Sequence, residues 1–330
     1  FLVEGDSASN CQKFLKTTLA SCLTREDYTK LESLASIKTF TVGQYSDDTQ
    51  MTRELLASIK HTKTFDPVDY ANRLALLSKN SLIVGCGLAT AKAMARINRG
   101  VSWDEAGCPD GQCGNGTAIR AGPIGLFFEN NLERLVETAK KQAIITHKDI
   151  RCQAGSVAMA MGVAVCITYE NLTPSFFCKT VGDVVYNVHK EFGTEIRNLA
   201  NIYTTRASVA VKELGKKGMD FDDGSTGVSG FVMSSVLWSF YSFMTHMDDY
   251  YDCLRTAIAA GGDTDSTAAM AGALSGAYLG IEGVLKESRL PERVNDKGLW
   301  DFKALTTLAH GVFDLKVEET EPIEEDSKKQ

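Results

Sequence analysis

Two segments without a charged residue most constrain the fold of this 330-residue chain. One spans residues 154–169 (AGSVAMAMGVAVCITY) and the other spans residues 266–281 (STAAMAGALSGAYLGI). Both are rich in Ala and Gly, and both are shorter than the roughly 20 residues that a membrane-spanning helix needs. They are therefore predicted to be helices buried on nearly every side in the core of a globular domain. Gly272, Gly276 and Gly280 recur at every fourth position, which predicts a flat strip for close approach of another helix.

The rest of the chain favours an all-α fold. It contains only 6 prolines, and proline is the residue least compatible with a helix interior. Glycine-rich residues 107–116 and 222–230 are predicted loops, and no segment shows the alternation of a strand. We predict a single compact multi-helix domain over residues 1–316 and an acidic, disordered tail over residues 317–330. Amphipathic spacing predicts helices at residues 11–20, 49–61, 67–77, 88–99, 132–145, 182–199, 204–214, 229–244, 250–259 and 302–313.

Charge and cysteine content argue against several classes of function. Of a net charge of −7, most belongs to the tail, which contains six acidic residues and two lysines. A nearly neutral body argues against binding to a nucleic-acid backbone, and no membrane partner is expected. Cys108 and Cys113 are the only close pair among nine cysteines. Reduced thiols in a cytoplasmic protein are therefore favoured over a zinc site.

Two acidic clusters precede predicted helices, at residues 46–49 (SDDT) and residues 263–266 (DTDS). A helix start accounts for one capping Asp or Ser, but each cluster has two carboxylates with flanking hydroxyls. If the clusters met, their carboxylates would repel one another unless a cation joined them. Mg²⁺ and Mn²⁺ bind oxygen ligands of this kind, and two such ions can share one site. The spacing alone leaves both a two-metal site and two independent caps open.

Two further features have weaker local signals. Residues 111–116 (GQCGNG) would let the backbone approach anionic oxygens closely. Their spacing matches neither a P-loop nor a dinucleotide fingerprint, so a glycine-rich turn explains them without any ligand. His147 closes a predicted helix, where a protonated imidazole would suit the helix dipole, and a lone histidine is more often structural than catalytic.

Taken in order, the motifs resemble the ADP-ribosylglycohydrolase family. The motifs are SDDTQMTRELL from residue 46, GNGTAIRAGPIGL from residue 114, ITHKD from residue 145 and GGDTDSTAAMAGALSGAYLG from residue 261. The resemblance implies an all-α fold with a central cleft that holds two divalent ions, Mg²⁺ or Mn²⁺. It also implies hydrolytic removal of ADP-ribose from a modified protein side chain or a small ADP-ribosyl conjugate.

The resemblance assigns roles by position. Glu4 corresponds to the family's mobile acidic residue and would be the acid/base, while Asp47 and Asp48 would serve catalysis as well as metal binding. In the family the ions hold the distal ribose and a glycine loop receives the diphosphate. The implied metal ligands are Ser46, Asp47, Asp48, Asp263, Asp265 and Ser266. The implied substrate-binding residues are Gln112, Cys113, Gly114, Asn115, Gly116 and His147.

The chain departs from the family pattern in two places. Residues 1–5 (FLVEG) resemble the stretch directly after the family's opening Gly-Asp-Ala-Leu-Gly segment, so we expect the chain to begin just after that segment, with lowered metal affinity. Ser46 stands where the family has Thr and keeps the hydroxyl. Two alternatives remain: a catalytically weakened member that is crystallin-like or only binds ADP-ribose, and a two-metal phosphohydrolase.

Overall fold

The predicted all-α fold is confirmed by the computed structural model of the chain. Helices supply the regular structure of the described residues, and extended segments meet there only in isolated bridges, such as that between Gly114 and Phe231. The described residues are 4–20, 29, 31–33, 40–220, 224, 226–286 and 290–320.

The helices follow one another through short connections. Several begin where the sequence supplies a cap: the carboxylate of Asp66 accepts from the amide of Val68 at 2.8 Å, and Pro67 occupies the first helical turn. In chain order the α-helices are α1 (Ala8–Phe14), α2 (Asp47–Thr62), α3 (Pro67–Lys79), α4 (Leu88–Ile97), α5 (Gly122–Phe128), α6 (Leu132–Ile144), α7 (Ile150–Thr168), α8 (Pro174–Tyr186), α9 (Lys190–Ile202), α10 (Ala207–Leu214), α11 (Val232–Thr245), α12 (Tyr250–Ala259), α13 (Thr264–Leu285) and α14 (Phe302–Thr320). A π-helical turn at Leu15–Leu19 continues α1, and 3₁₀ turns lie at Asn115–Thr117 and Leu290–Arg293.

Helix α7, which contains the first uncharged segment, lies at the centre of the domain. It packs against α5, α6, α8, α11 and α13. Gly125 of α5 lets two backbones meet, because a Cβ there would lie only 2.0 Å from the carbonyl oxygen of Ala160. Among helices of the described chain, α7 and α13 are both long and apolar enough to cross a membrane, but 72% of α7 is buried inside the domain. The prediction of a core helix is confirmed for α7.

Helix α13, which contains the second uncharged segment, is buried mainly in its first half. Only 22% of its apolar stretch is buried, and Ile281 is exposed. The backbone of Gly280 leaves the helical conformation with φ of 69°. A Cβ at Gly272 would contact the side chain of Leu254 at 3.2 Å, whereas a Cβ at Gly276 would meet only Val284 of the same helix. The predicted packing strip is therefore wrong beyond Gly272, because no described residue of another helix lies within 4 Å of a Cβ at Gly276, although Leu274 and Ser275 on other faces of α13 remain fully buried.

Two other differences have local causes. The helix predicted over residues 182–199 is in fact parts of α8 and α9, since the side chain of His189 accepts from the amide of Phe192 at 3.2 Å and starts a new helix. The short helix α5, with the sequence GPIGLFF, has no amphipathic period and was not predicted.

The C-terminal region packs on the side of the domain that holds α2. Helix α14 contacts α2 and continues to Thr320, so it includes residues 317–320 of the predicted tail. Residues 321–330 lie outside the described residues. The division at residue 316 remains a prediction.

Candidate functional site

A cleft of about 880 Å³ lies where the first turns of α2 and α13 face the loop of residues 111–116. Ser46 is not among the residues that line it, but its hydroxyl lies 3.3 Å from Oδ2 of Asp48, which does. The cleft brings together segments that are distant in sequence, since Asp48 of α2 and Ser266 of α13 are in contact although they are 218 positions apart. Of the predicted site residues, those that line the cleft are Glu4, Asp47, Asp48, Gln112, Cys113, Gly114, Asn115, Gly116, His147, Asp263, Asp265 and Ser266.

The acidic start of α2 does not serve as a helix cap. Ser46 occupies the N-cap position, yet its side chain caps no backbone amide and instead contacts the carboxylate of Asp48. Asp47 and Asp48 are 8% and 6% exposed. The amide of Asp47 donates to the carbonyl oxygen of Val84 at 2.7 Å, which fixes the first turn against the neighbouring loop. The capping explanation therefore fails for the side chains of this cluster.

The start of α13 is likewise uncapped by its own side chains. Asp263 is the N-cap residue but makes no capping hydrogen bond. Its Oδ2 accepts from Nδ2 of Asn115 at 2.7 Å, which links α13 to the glycine-rich loop. Oδ1 of Asp265 is buried and has no hydrogen-bond partner in the described part of the chain. Such an atom is costly to bury unless a ligand satisfies it.

Two glycines allow the backbone to reach this position. Gly262 has φ of +83°, and a Cβ there would lie 2.2 Å from the carbonyl oxygen of Val228. Gly261 has φ of +73° and also packs on the backbone of residues 6–8, where a Cβ would lie 2.6 Å from the carbonyl oxygen of Asp6. Only glycine tolerates this combination of positive φ and backbone contact. The two glycines of the sequence GGD thus allow the Asp263 carboxylate to lie at the N-terminus of α13.

Glu4 lies beside this acidic start. Its exposed side chain, Asp263 and Asp265 each offer a carboxylate oxygen, and the three oxygens lie within 4.8 Å of one another. The backbone fixes this placement, because the amide of Gly5 donates to the carbonyl oxygen of Gly262 at 2.8 Å and the amide of Gly262 donates to that of Asp6 at 3.0 Å. Three carboxylates at this spacing fit a hard divalent cation, which takes oxygen ligands.

The electrostatics of the cluster also fit a cation. Burial, followed by repulsion from Asp265, raises the pKa of Asp47 to about 7 and that of Asp263 to about 7. The same two causes raise the pKa of Asp48 well above its usual value. Without a positive charge, these groups therefore hold protons that isolated carboxyl groups would release near pH 4.

The opposite side of the cleft is held by hydrogen bonds to the glycine-rich loop. The amide of Gly111 donates to Oδ2 of Asp149 at 2.8 Å, and the carbonyl oxygen of Cys113 accepts from the amide of Val232 at 2.8 Å. Asp149 also accepts from Arg151, at 2.9 Å from Nη2. Burial opposes ionisation of Asp149, but these hydrogen bonds outweigh it and hold the pKa of its carboxyl below the usual range.

His147 lies beneath the glycine-rich loop and is only 2% exposed. A Cβ at Gly114 would lie 3.3 Å from its Nε2, and one at Gly116 would lie 3.4 Å from its Cε1. Burial and the nearby charge of Arg120 lower the pKa of His147 to about 3. The helix dipole therefore does not hold a protonated imidazole here: α6 ends at Ile144, before His147, and the ring is neutral at pH 7.

The cleft also contains residues that sequence reasoning did not single out. The segment before α4, with Gly85 and Gly87, lines its wall, as do Thr90 in the first turn of α4 and Met219. Two glycines before a helix start (VGCGLAT) were the available signal for the first three. Nothing local marks Met219, which reaches the cleft through the packing of distant segments.

Comparison with known proteins agrees with this architecture. The chain matches the family described as ADP-ribosylglycohydrolase over residues 4–320. It is 28% identical to ADP-ribosylhydrolase ARH3 of Homo sapiens, with 73% of this chain and 72% of that protein covered. It is 26% identical to the ADP-ribosyl-[dinitrogen reductase] glycohydrolase of Rhodospirillum rubrum, with 73% and 71% covered.

A solved structure shares the fold. It is titled "ADP-ribosylglycohydrolase-related protein complex" and superposes with a TM-score of 0.57 at 20% identity, over 83% of this chain and 82% of that one. The family match extends through every helix from α1 to α14. The chain accordingly belongs to the ADP-ribosylglycohydrolase family and is an ADP-ribosyl glycohydrolase.

Proposed function

We propose that the protein is a metal-dependent hydrolase that releases ADP-ribose from a modified protein side chain or a small ADP-ribosyl conjugate. The observation that carries the metal dependence is Oδ1 of Asp265, which is buried without a partner while Asp263 and Glu4 offer oxygens nearby. A divalent cation is the simplest group that satisfies all three. Two ions, Mg²⁺ or Mn²⁺, are proposed because carboxylates come from both helix starts.

The proposed ligands form two sets on facing helix starts. The contact between Ser266 Oγ and Asp48 Oδ1, at 3.5 Å, joins the two sets. The chemistry that such ions supply is orientation of ribose hydroxyls and a lowered pKa of a water. The ligands from α2 would be Ser46, Asp47 and Asp48, and those from α13 would be Asp263, Asp265 and Ser266.

Glu4 is the proposed acid/base. Cleavage at the distal ribose builds positive charge at the anomeric carbon, and a proton must reach the leaving group or leave the attacking water. The Glu4 side chain is exposed at the cleft, whereas Asp47 and Asp48 are buried. Solvent access suits Glu4 to proton exchange. Asp47 and Asp48 would contribute to catalysis by polarising the water through their negative charge.

The glycine-rich loop is the proposed diphosphate site. Residues 111–116 line the cleft opposite the carboxylates, and their backbone is held before any ligand arrives by Asp149, which accepts from the amide of Gly111, and by Val232, which donates to the carbonyl oxygen of Cys113. A preformed loop loses little conformational entropy on binding. The side chains of Gln112 and Cys113, with His147 below, would complete the contacts to substrate.

The proposed partner and location rest on the same observations. The proposed partner is an ADP-ribose-containing substrate, and we propose that the protein binds neither a nucleic-acid backbone nor a membrane. The cysteines of the described residues are free thiols, and most are buried. Thiols of this kind suit a reducing compartment, so we propose a cytoplasmic protein.

The deciding experiment measures products from defined conjugates. Arginine-linked, serine-linked and acetyl-ester-linked ADP-ribose are incubated with the protein in Mg²⁺, in Mn²⁺ and in chelator. We expect release of ADP-ribose from at least one linkage, and only with metal. Release of phosphate would instead identify a phosphohydrolase. Tight binding of ADP-ribose without any turnover would identify the weakened, crystallin-like alternative.

A further inference from the structure

Arg120 is fully buried and donates its hydrogen bonds to neutral groups. Its Nε donates to Oε1 of Gln142 at 2.7 Å, and its Nη2 donates to the hydroxyl of Thr146 at 2.8 Å. A guanidinium has only donors, so the Thr146 oxygen must be the acceptor in that contact. The hydroxyl proton of Thr146 must therefore be donated to a group other than Arg120.

The partner of that proton is His147. Oγ1 of Thr146 lies 2.8 Å from Nδ1 of His147, and Thr146 is 0% exposed. Among the described contacts of this hydroxyl, Nδ1 is the one group that can accept a proton. If Nδ1 carried the ring proton, the Thr146 oxygen would face two donors, Nη2 of Arg120 and Nδ1 of His147. The buried hydroxyl proton of Thr146 would then have no acceptor among these contacts.

We infer that Arg120 and Thr146 are positioning residues that hold His147 as the tautomer protonated on Nε2, with that N–H directed at the cleft. The position of Nε2 agrees, since it lies beneath Gly114, at 3.3 Å from where a Cβ would stand. The bridge between Cys108 and His147 fixes the backbone at this position, since the amide of Cys108 donates to the carbonyl oxygen of Thr146 at 2.8 Å. Burial and the charge of Arg120 keep the ring neutral.

The inference deepens the proposed function and, in its ligand, rests on it. A diphosphate oxygen seated on residues 114–116 would accept the Nε2–H hydrogen bond. With the opposite tautomer, the lone pair of Nε2 would face that oxygen and repel it. The buried cation of Arg120 acts through Thr146 and contacts no substrate itself.

Nitrogen NMR of the full chain tests the tautomer directly and without substrate. The His147 signals are assigned from a His147→Gln spectrum. In the wild type we expect Nδ1 to be unprotonated and Nε2 to be protonated across the neutral pH range. A protonated Nδ1 in the wild type would overturn the inference. This measurement stands even if the assay for ADP-ribose release fails, so the two failures are distinguishable.

Two variants test the role of the hydroxyl. Thr146→Val keeps the shape but removes the donor, so Nδ1 should become partly protonated and ADP-ribose should bind up to about tenfold more weakly. Thr146→Ser keeps the hydroxyl and should keep both the tautomer and the affinity. Identical nitrogen spectra for Thr146→Val and the wild type would contradict the inference. If the valine variant does not fold, the wild-type spectrum and the serine variant decide.

Discussion

The two sides of the cleft differ in how their charges are balanced. The acidic wall, formed by Glu4, Asp47, Asp48, Asp263 and Asp265, brings carboxylates close together. Burial and repulsion from Asp265 raise the pKa values of three of them, Asp47, Asp48 and Asp263. The glycine wall, formed by residues 111–116 and His147, contains a neutral imidazole and is held by hydrogen bonds to neighbouring segments, including that of Gly111 to Asp149, which pairs with Arg151. The acidic wall thus fits completion by a cation, whereas the glycine wall is organised by the protein alone.

The two walls are physically joined at one contact. Nδ2 of Asn115, in the glycine wall, donates to Oδ2 of Asp263 in the acidic wall at 2.7 Å. Asn115 is itself fixed, because its amide donates to the carbonyl oxygen of Gly230 at 3.0 Å. A ligand that spans both walls would therefore meet groups whose relative position is set by the glycine loop.

The largest expected effect comes from the exposed end of the acidic wall. Glu4→Gln should lower kcat by about 10²–10⁴-fold and leave ADP-ribose affinity nearly unchanged, because proton transfer is lost while the binding contacts remain. Steady-state rates and a binding titration measure the two quantities. Glu133→Gln, an exposed change on α6, is the matched control. Turnover of Glu4→Gln at the wild-type rate would remove Glu4 from the mechanism.

The next effect separates the walls by their response to metal. At 100 times the dissociation constant, bound metal should raise the free energy of unfolding by about 2.7 kcal/mol per site in the wild type. Asp263→Asn should lose most of this stabilisation, as measured by unfolding in Mg²⁺ and in chelator. Asp149→Asn also removes one negative charge, but from a residue beside the glycine wall, so this variant should keep the stabilisation by metal. Equal metal responses in wild type and Asp263→Asn would show that Asp263 is no ligand.

The pH dependence of the metal-free protein sharpens the comparison. Asp47 and Asp263 have a pKa of about 7 in the folded chain and near 4 when unfolded, so the folded state holds more protons between these values. The contribution of these groups to stability in chelator should therefore be greatest below about pH 4, fall by on the order of 3 kcal/mol as the pH rises through about 7, and then level off. Saturating Mg²⁺ should remove the decline. Metal-free stability that rises with pH over this range would contradict the raised pKa values.

The smallest effect belongs to the glycine wall. Gly116→Ala places a Cβ 3.3 Å from Oγ1 of Thr90 and 3.4 Å from Cε1 of His147, which is close enough to displace the loop slightly. We expect ADP-ribose to bind about threefold to tenfold more weakly, since a shift of this size costs about one hydrogen bond. The metal titration should not change. Calorimetry with each ligand separates the two, and a loss of metal affinity would show that the walls are coupled more strongly than the Asn115 contact implies.

Much of the fold was predictable because it depends on local sequence. The uncharged segment of α7, the helix pattern around it and the acidic residues at the starts of α2 and α13 are all readable from spacing. The exposed half of α13 was not, since its composition resembles that of α7 and only the limits of the core distinguish them. The break between α8 and α9 depended on a capping histidine, His189, that the amphipathic pattern conceals.

The sequence by itself determined the residue types of the site, their order and the helix starts that present them. Tertiary structure alone decided the hydrogen-bond partners and the protonation states of those residues. Ser46 and Asp263 occupy capping positions but cap nothing with their side chains. Ser46 contacts Asp48, which in turn contacts Ser266, 218 positions away. Asp263 accepts from Asn115, 148 positions away. His147 is neutral because Arg120 and burial surround it. Protonation depends on solvent exclusion and on charges brought close by folding, and neither is a property of local sequence.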